Sequence, residues 1–178
     1  MDDRPKPDEY FMGIAIAVRR RANCLGNRVG AVIVRDRRIV STGYNGTPEN
    51  MDNCLDGGCD RCSNRGNYES GKGYDLCICV HAEQNALLSA ARHGIAVQGG
   101  TMYSTMRPCF GCTKELLQAR VQAVYFLHDW AHPEDGEVVV FPRYNWWNNI
   151  VRIAYEGSCT LRAEVTGNIV KVTADSTF

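Results

Sequence analysis

The sequence has no surplus of charge of either sign and no apolar run long enough to span a membrane. Its 178 residues carry 20 Lys and Arg against 20 Asp and Glu, so the formal net charge is zero. Proteins that bind nucleic acid through many phosphates usually carry a basic surplus, so this balance argues against a nucleic acid partner and favours a small-molecule substrate. The apolar stretch at residues 11–18 is too short to cross a bilayer, and the acidic segment before it lacks the features of a signal peptide. We therefore expect a cytoplasmic protein with no membrane partner.

Internal repeats and low-complexity segments are also absent, and the length suits one domain. Apolar periodicity predicts the element order α-β-β-α-β-α-β. The predicted ranges are 8–22, 29–35, 38–44, 81–93, 101–105, 109–120 and 121–127. This order predicts an α/β protein, with an antiparallel hairpin at one side of the sheet and helical crossovers after it. In the C-terminal part, residues 128–178, we predict a helix over 144–156 and an edge strand over 159–165.

Cysteine is the one residue type in clear excess. In a reducing compartment, clustered cysteines indicate metal ligands before disulfides. Residues 45–79 contain five of them among Gly, Asn and Asp, with no apolar period. We interpret this segment as a cysteine-rich insertion that metal binding, rather than a hydrophobic core, holds in place. The nine cysteines are Cys24, Cys54, Cys59, Cys62, Cys77, Cys79, Cys109, Cys112 and Cys159.

Two short motifs indicate a catalytic zinc centre. His81 opens one predicted helix, and Cys109 and Cys112 share a face at the start of another. A catalytic zinc needs three protein ligands and one open position, which these residues would supply. Glu83 lies too close to His81 in sequence to be a further ligand in a regular tetrahedron, and it is placed to move a proton of the reacting water. A closed, purely structural zinc site would want a fourth ligand instead of Glu83.

The pattern H-x-E followed by P-C-x-x-C resembles the signature of zinc-dependent cytidine and nucleobase deaminases. The segments VGAVIV at 29–34, GYNGTP at 43–48 and HAEQNAL at 81–87 narrow the resemblance to the deoxycytidylate (dCMP) deaminases, over residues 10–130. This resemblance implies a three-layer α/β/α fold with a mixed sheet of about five strands and helices on both faces. It also implies a hydrolase that converts dCMP to dUMP, a thymidylate precursor, with Glu83 transferring protons to ring N3 and the leaving amine.

Substrate contacts follow only from this resemblance. It implies that Asn45 contacts the nucleotide sugar, although an Asn-Gly pair is also common in turns. Arg107 would reach a substrate phosphate or cap a helix face. Trp130 stands where relatives often have Tyr, in a loop that borders the pocket. The C-terminal part, 128–178, diverges from the usual ending of the family.

The resemblance further implies a second, structural zinc. Cys24, Cys54 and Cys79 stand at matching positions, with Cys59 or Cys62 as the fourth ligand. Cys77 and Cys159 fall outside this predicted set. Members of the family are often hexamers that are regulated by dCTP and dTTP with bound Mg²⁺, so we also expect a homo-oligomer. Arg92 is then a candidate interface residue, or an arginine that stabilises a helix end.

Two alternatives remain at this stage. The chain could deaminate another nucleotide or a base within a nucleic acid. For the nucleic acid, the seven arginines between residues 19 and 38 argue weakly, although such a run usually forms a solvated face. It could also be a non-catalytic zinc-binding module on a degenerate deaminase scaffold, although His81, Glu83, Cys109 and Cys112 are all present.

Overall fold

The computed structural model describes residues 4–69 and 72–128, and the backbone of three short strands between residues 150 and 173. Seven strands form one mixed sheet in the order β2-β1-β3-β4-β5-β7-β6. The pairs β1–β2, β1–β3 and β6–β7 are antiparallel, and the others are parallel. The strands are β1 (Gly30–Arg35), β2 (Arg38–Tyr44), β3 (Thr101–Met106), β4 (Ala123–His128), β5 (Ile150–Arg152), β6 (Arg162–Thr166) and β7 (Ile169–Thr173).

Helices cover both faces of the sheet. The helix α1 (Pro7–Arg19) begins with proline, carries acidic residues in its first turn and ends with a basic residue, as the helix dipole favours. Its buried residues pack against one face of β1 and β3. The helices α3 (Ala82–Arg92) and α4 (Phe110–Gln118) pack against the opposite face. The three-layer arrangement predicted from the sequence is therefore confirmed.

Two glycines allow the helices to approach the strands closely. A Cβ atom at Gly30 would overlap the α1 backbone at Ala15 and Arg19. A Cβ atom at Gly43 would overlap the carbonyl oxygen of Ala82 and the backbone nitrogen of Ala86. The second contact fixes the first turns of α3 on β2, so it determines where the start of that helix lies.

The cysteine-rich insertion leaves and rejoins the fold at one point. Gly46 and Val80 form an isolated antiparallel bridge, with N–H to O distances of 3.2 and 2.8 Å. Between them lie the short helix α2 (Asp60–Ser63) and three single turns of 3₁₀ helix, at Cys54–Asp56, Arg65–Asn67 and Tyr74–Leu76. The buried cluster in this region consists of cysteines alone. In the described part of this segment, the sulfur atoms thus occupy the place that apolar side chains hold in the two other core clusters.

The C-terminal part differs from the sequence-based expectation. The predicted helix over 144–156 is wrong, because Ile150–Arg152 pairs with β4 as a parallel strand. The predicted edge strand is present as Arg162–Thr166, at the end of the sheet. The described residues therefore contribute seven strands to the sheet, rather than about five. Trp130 and Cys159 lie outside the described residues. None of the helices in the described ranges is both long enough and apolar enough to cross a membrane.

Candidate metal centre and active-site pocket

His81, Cys109 and Cys112 meet where α3 and α4 begin. His81 and Cys109 are the N-cap residues of these helices, and Cys112 lies in the first turn of α4. The Nδ1 atom of His81 lies 3.4 Å from Cys109 Sγ and 3.3 Å from Cys112 Sγ, and the two sulfur atoms are 3.6 Å apart. The sequence prediction that these three side chains come together is confirmed.

This triangle fits a zinc ion. In a zinc tetrahedron with ordinary bond lengths, the nitrogen–sulfur edge is about 3.6 Å and the sulfur–sulfur edge about 3.8 Å. The observed edges are within a few tenths of an ångström of these values. The three atoms form one of the groups in the described residues that could hold a metal ion. One imidazole and two thiolates, with no fourth ligand side chain among the described residues, match the donor set of a catalytic rather than a closed zinc site.

The electrostatics of the triangle favour a bound cation. The neighbouring Cys112 thiol and, less strongly, His81 stabilise the Cys109 thiolate and lower the Cys109 pKa to about 4. The Cys109 sulfur in turn raises the pKa of His81. The pKa of Cys112 is raised because Cys109 lies beside it and because it is buried. A divalent cation would compensate the negative charge that the two thiols cannot carry together.

Glu83 lies buried beside the triangle, with only 3% of its surface exposed. Its Oε1 atom accepts a hydrogen bond of 2.8 Å from the hydroxyl group of Ser104, which is fully buried on β3. Burial raises the pKa of the Glu83 carboxyl, whereas the Ser104 hydroxyl opposes this shift. A carboxyl group whose pKa is moved towards neutrality and whose orientation is fixed is suited to general acid–base chemistry.

Gln84 connects the two helices that carry the ligands. Its Oε1 atom accepts a hydrogen bond of 3.0 Å from the backbone N–H of His81, and its Nε2 atom donates one of 2.9 Å to Glu115 on α4. Supporting contacts of this kind orient metal ligands. Ser104 and Gln84 were both missed in the sequence analysis.

A pocket with a volume of about 310 Å³ opens beside this centre, near the lower end of the range for small-molecule sites. His81, Glu83 and Cys109 line it, as do Arg107 and Asn45. The Asn45 side chain accepts a hydrogen bond of 2.7 Å from the Val29 N–H and donates one of 2.7 Å to the Asn27 carbonyl. It therefore fixes the loop that forms this part of the pocket wall.

The pocket also contains an arginine that the sequence analysis missed. The guanidinium carbon of Arg61 lies 4.7 Å from the ring centroid of Tyr74 and 5.3 Å from that of Tyr68. One of its terminal nitrogens donates a hydrogen bond of 2.7 Å to the Lys72 carbonyl. Its buried Nε–H has no hydrogen-bond partner in the described part of the chain. Arg61 thus offers an unused donor in a pocket that Arg107 also lines.

The other cysteines of the described ranges gather beside this pocket, and four of them line it, Cys24, Cys62, Cys77 and Cys79. We call their six sulfur atoms the six-sulfur cluster. They fall into two groups of four that could each hold a metal ion, Cys24, Cys54, Cys62 and Cys79, and Cys59, Cys62, Cys77 and Cys79. The first group contains the three expected ligands and Cys62, one of the two candidates for the fourth position. Cys77, which the sequence analysis left outside the ligand set, joins the second group.

Arg92 is on the surface at the end of α3. Its Nη1 atom lies 3.0 Å from Glu49 Oε2, and both side chains are about 70% exposed, at 70% and 71%. This exposed ion pair contributes little to stability. The suggested interface role of Arg92 stays a prediction.

The amino-acid sequence of this chain is similar to those of several deoxycytidylate deaminases. The chain is 40% identical to the deoxycytidylate deaminase of Saccharomyces cerevisiae over 75% of its own length and 41% of the yeast protein. It is 39% identical to the deoxycytidylate deaminase of Mycobacterium phage D29, over 69% of this chain and 95% of the phage protein. The chain thus spans about two fifths of the length of the yeast relative but almost all of the phage relative.

The fold of this chain is also similar to that of a solved dCMP deaminase. A dCMP deaminase from the cyanophage S-TIM5, in complex with dCMP and dUMP, superimposes with a TM-score of 0.63 at 27% identity, over 84% of this chain and 98% of the other. The family model for the cytidine and deoxycytidylate deaminase zinc-binding region matches residues 5–128, which include every residue of the triangle and Glu83. The chain therefore belongs to the cytidine and deoxycytidylate deaminase family.

Proposed function

We propose that this protein is a zinc-dependent hydrolase that converts dCMP to dUMP with release of ammonia, and so supplies dUMP for thymidylate synthesis. The observation that carries the proposal is the buried Glu83 carboxyl beside the His81, Cys109 and Cys112 triangle, on the wall of one pocket. The deoxycytidylate deaminases among its relatives support the choice of reaction.

The residues of the chain have separate tasks in this reaction. Zinc held by the triangle would supply a Lewis acid that lowers the pKa of water towards about 7. Glu83 takes one proton from the attacking water and gives it to N3 of the cytosine ring. It then takes the proton of the new C4 hydroxyl group and gives it to the amine, so that the C4–N bond breaks, the C4 carbonyl forms and ammonia leaves. Ser104 keeps the Glu83 carboxyl directed at the reacting atoms throughout, because its hydroxyl bonds Oε1 from the buried side.

Two arginines support a nucleotide rather than a nucleoside substrate. Arg61 and Arg107 both line the pocket that contains Glu83. A 5′-phosphate is a dianion, and guanidinium groups bind such groups through paired hydrogen bonds. The unused Nε–H of Arg61 is a donor for one phosphate oxygen. We assign sugar binding to Asn45 and propose Trp130 as a further residue at the pocket entrance.

Several further expectations complete the proposal. A structural zinc bound by Cys24, Cys54, Cys62 and Cys79 would stabilise the insertion. We also propose a homo-oligomer, such as a hexamer, that is regulated by a nucleotide with Mg²⁺ and has Arg92 near its interfaces. None of the eight described cysteines forms a disulfide. Together with their proposed role as metal ligands, this fits a reducing compartment such as the cytoplasm.

The first test is ammonia release from a panel of dCMP, CMP, dCTP, deoxycytidine, cytosine and a cytosine-containing oligonucleotide. We expect dCMP to react best and deoxycytidine far more slowly, because the latter lacks the phosphate. A preference for the oligonucleotide would support a polymer substrate, and equal kcat/KM for deoxycytidine and dCMP would support a nucleoside deaminase. No release from any compound would favour a non-catalytic module.

Glu83→Gln tests the catalytic assignment. This substitution keeps the shape of the side chain and removes its proton transfer, which contributes roughly 10²–10⁴-fold in comparable enzymes. We expect that loss in kcat with an unchanged zinc content, because Glu83 is outside the metal-holding triangle. Near-normal kcat in this variant would refute the mechanism.

A further inference from the structure

The six-sulfur cluster is organised around two shared residues. Its two groups of four have Cys62 and Cys79 in common, while Cys24 and Cys54 occur only in the first group and Cys59 and Cys77 only in the second. Within each group all sulfur atoms lie within 4.8 Å of one another. Two tetrahedra that share an edge have this arrangement, with two common corners and two further corners each.

The measured sulfur–sulfur distances fit both tetrahedra. Cys24 Sγ lies 3.8 Å from Cys62 Sγ in the first group. In the second group, Cys77 Sγ lies 3.7 Å from Cys59 Sγ and 3.6 Å from Cys62 Sγ. The edge of a tetrahedron with zinc–sulfur bonds of about 2.3 Å is about 3.8 Å. These three edges, one in the first group and two in the second, therefore have the length that a zinc tetrahedron requires.

The surroundings of the sulfur atoms also fit thiolate ligands. Backbone N–H groups point at two of them, from Leu25 to Cys54 Sγ at 3.3 Å and from Gly26 to Cys24 Sγ at 3.4 Å. Such donors stabilise negative charge on sulfur and orient metal ligands. Five of the six residues are buried, and only Cys77 packs on the cluster as a partly buried residue. Six neutral thiols would give this segment very little apolar surface on which to fold.

A single ion would leave part of the cluster unexplained. An ion in the first group would leave Cys59 and Cys77 as two thiols in contact with each other and with a metal-bound sulfur. An ion in the second group would leave Cys24 and Cys54 in the same position. Sharing two thiolates lets six cysteines coordinate two divalent ions, with the same net charge of two minus that one ion with four thiolates would carry.

We propose that the six-sulfur cluster binds two zinc ions as one binuclear centre. Cys62 and Cys79 bridge the ions, Cys24 and Cys54 complete one tetrahedron, and Cys59 and Cys77 complete the other. Binding releases the thiol protons to solvent and changes no oxidation state. This adds one ion to the single structural zinc proposed above, and it gives Cys77 a role.

The test is the metal content of the purified protein, measured by inductively coupled plasma mass spectrometry with its variants. Wild type is expected to contain three zinc ions per chain, one of them in the catalytic triangle. Cys77→Ser and Cys54→Ser should each lose one ion, and the bridging variant Cys62→Ser should lose two. Ser63→Ala, at an exposed position next to Cys62, is the matched control and should keep all three.

A measurement on the wild-type protein covers the case in which a cysteine variant does not fold. After exchange with ¹¹³Cd, ions that share thiolates should give two resonances that are coupled to each other. Two zinc ions per chain in wild type, with Cys59→Ser and Cys77→Ser unchanged, would refute the binuclear centre, as would iron in place of zinc. These counts do not depend on activity, so they stay distinct from the test of the dCMP reaction.

Discussion

A methyl group added at Gly43 should impair catalysis although Gly43 does no chemistry. The Cβ atom of Gly43→Ala would overlap the carbonyl oxygen of Ala82 and the backbone nitrogen of Ala86. Both are backbone atoms of a packed helix, so no side chain can rotate to make room. The start of α3 would have to move by about 1 Å to restore ordinary van der Waals contact. That start carries His81 and Glu83.

The magnitude follows from this displacement. Overpacking of this kind costs about 1–3 kcal/mol of unfolding free energy, or a few degrees in Tm for a chain of this size. A misplacement of about 1 Å at reacting groups can lower the rate about 10²-fold. We expect Gly43→Ala to show both effects in thermal unfolding and in ammonia release from dCMP.

Gly66→Ala is the matched control, since a Cβ atom at Gly66 meets nothing within 4 Å. It should leave Tm and kcat/KM at their wild-type values. If Gly43→Ala matched this control in both measurements, the argument that β2 sets the position of the catalytic helix would be wrong.

Three further substitutions address single contacts. Ser104→Ala removes the hydrogen bond to Glu83 and should lower kcat about 10- to 100-fold with little change in KM. The control Ser41→Ala removes a buried hydroxyl that binds the α3 backbone instead, so it should lower stability and leave kcat unchanged. If the two variants had the same kcat, the positioning role of Ser104 would be contradicted. Gln84→Ala should weaken zinc binding about 10- to 100-fold in competition with a chelator, and unchanged affinity would show that the two helices hold their ligands without this bridge. Tyr103→Phe removes a hydroxyl that donates a hydrogen bond to Asp8 in the first turn of α1. Denaturant titration should show a loss of about 1 kcal/mol in unfolding free energy, and kcat should be unchanged. A loss of activity would contradict a purely structural role for this hydroxyl.

Local patterns predicted much of the sheet and the metal centre. The range predicted for β2, 38–44, coincides with the observed strand Arg38–Tyr44. The two residues left between the predicted hairpin strands, Asp36 and Arg37, form the turn with left-handed φ angles of 51° and 60°, as short hairpin turns require. The sequence motifs of His81, Cys109 and Cys112 also mark the beginnings of two helices. These candidate ligands could therefore be found from the sequence, because the start of a helix fixes the position of its first side chains.

The residues that were missed act through contacts between distant segments. Ser104 is an ordinary strand residue in sequence, and only the packing of α3 on β3 brings its hydroxyl to Glu83. Arg61 lies in the cysteine-rich insertion, where the sequence shows no apolar period, and its contacts with two tyrosines place it at the pocket. The role of Cys77 likewise depends on the path of the insertion, which cysteine spacing does not determine.

The wrong helix in the C-terminal part has a different cause. Residues 144–156 carry a pattern that is compatible with a helix, but Ile150–Arg152 pairs along β4. Pairing with an existing strand edge can outweigh local helix propensity, because the backbone gains hydrogen bonds from the neighbouring strand.

The position of the six-sulfur cluster along the chain has a consequence for biosynthesis. All its cysteines, from Cys24 to Cys79, are translated before Cys109 and Cys112. Cys24 and Cys79 are 55 residues apart, so at about 5–20 residues per second the first thiol waits about 3–11 s for the last. The cluster can then assemble on the nascent chain while the catalytic centre still lacks both sulfur ligands. Translation order would thus let the insertion bind metal before the catalytic centre can. The catalytic centre would then be completed beside a segment that has already folded.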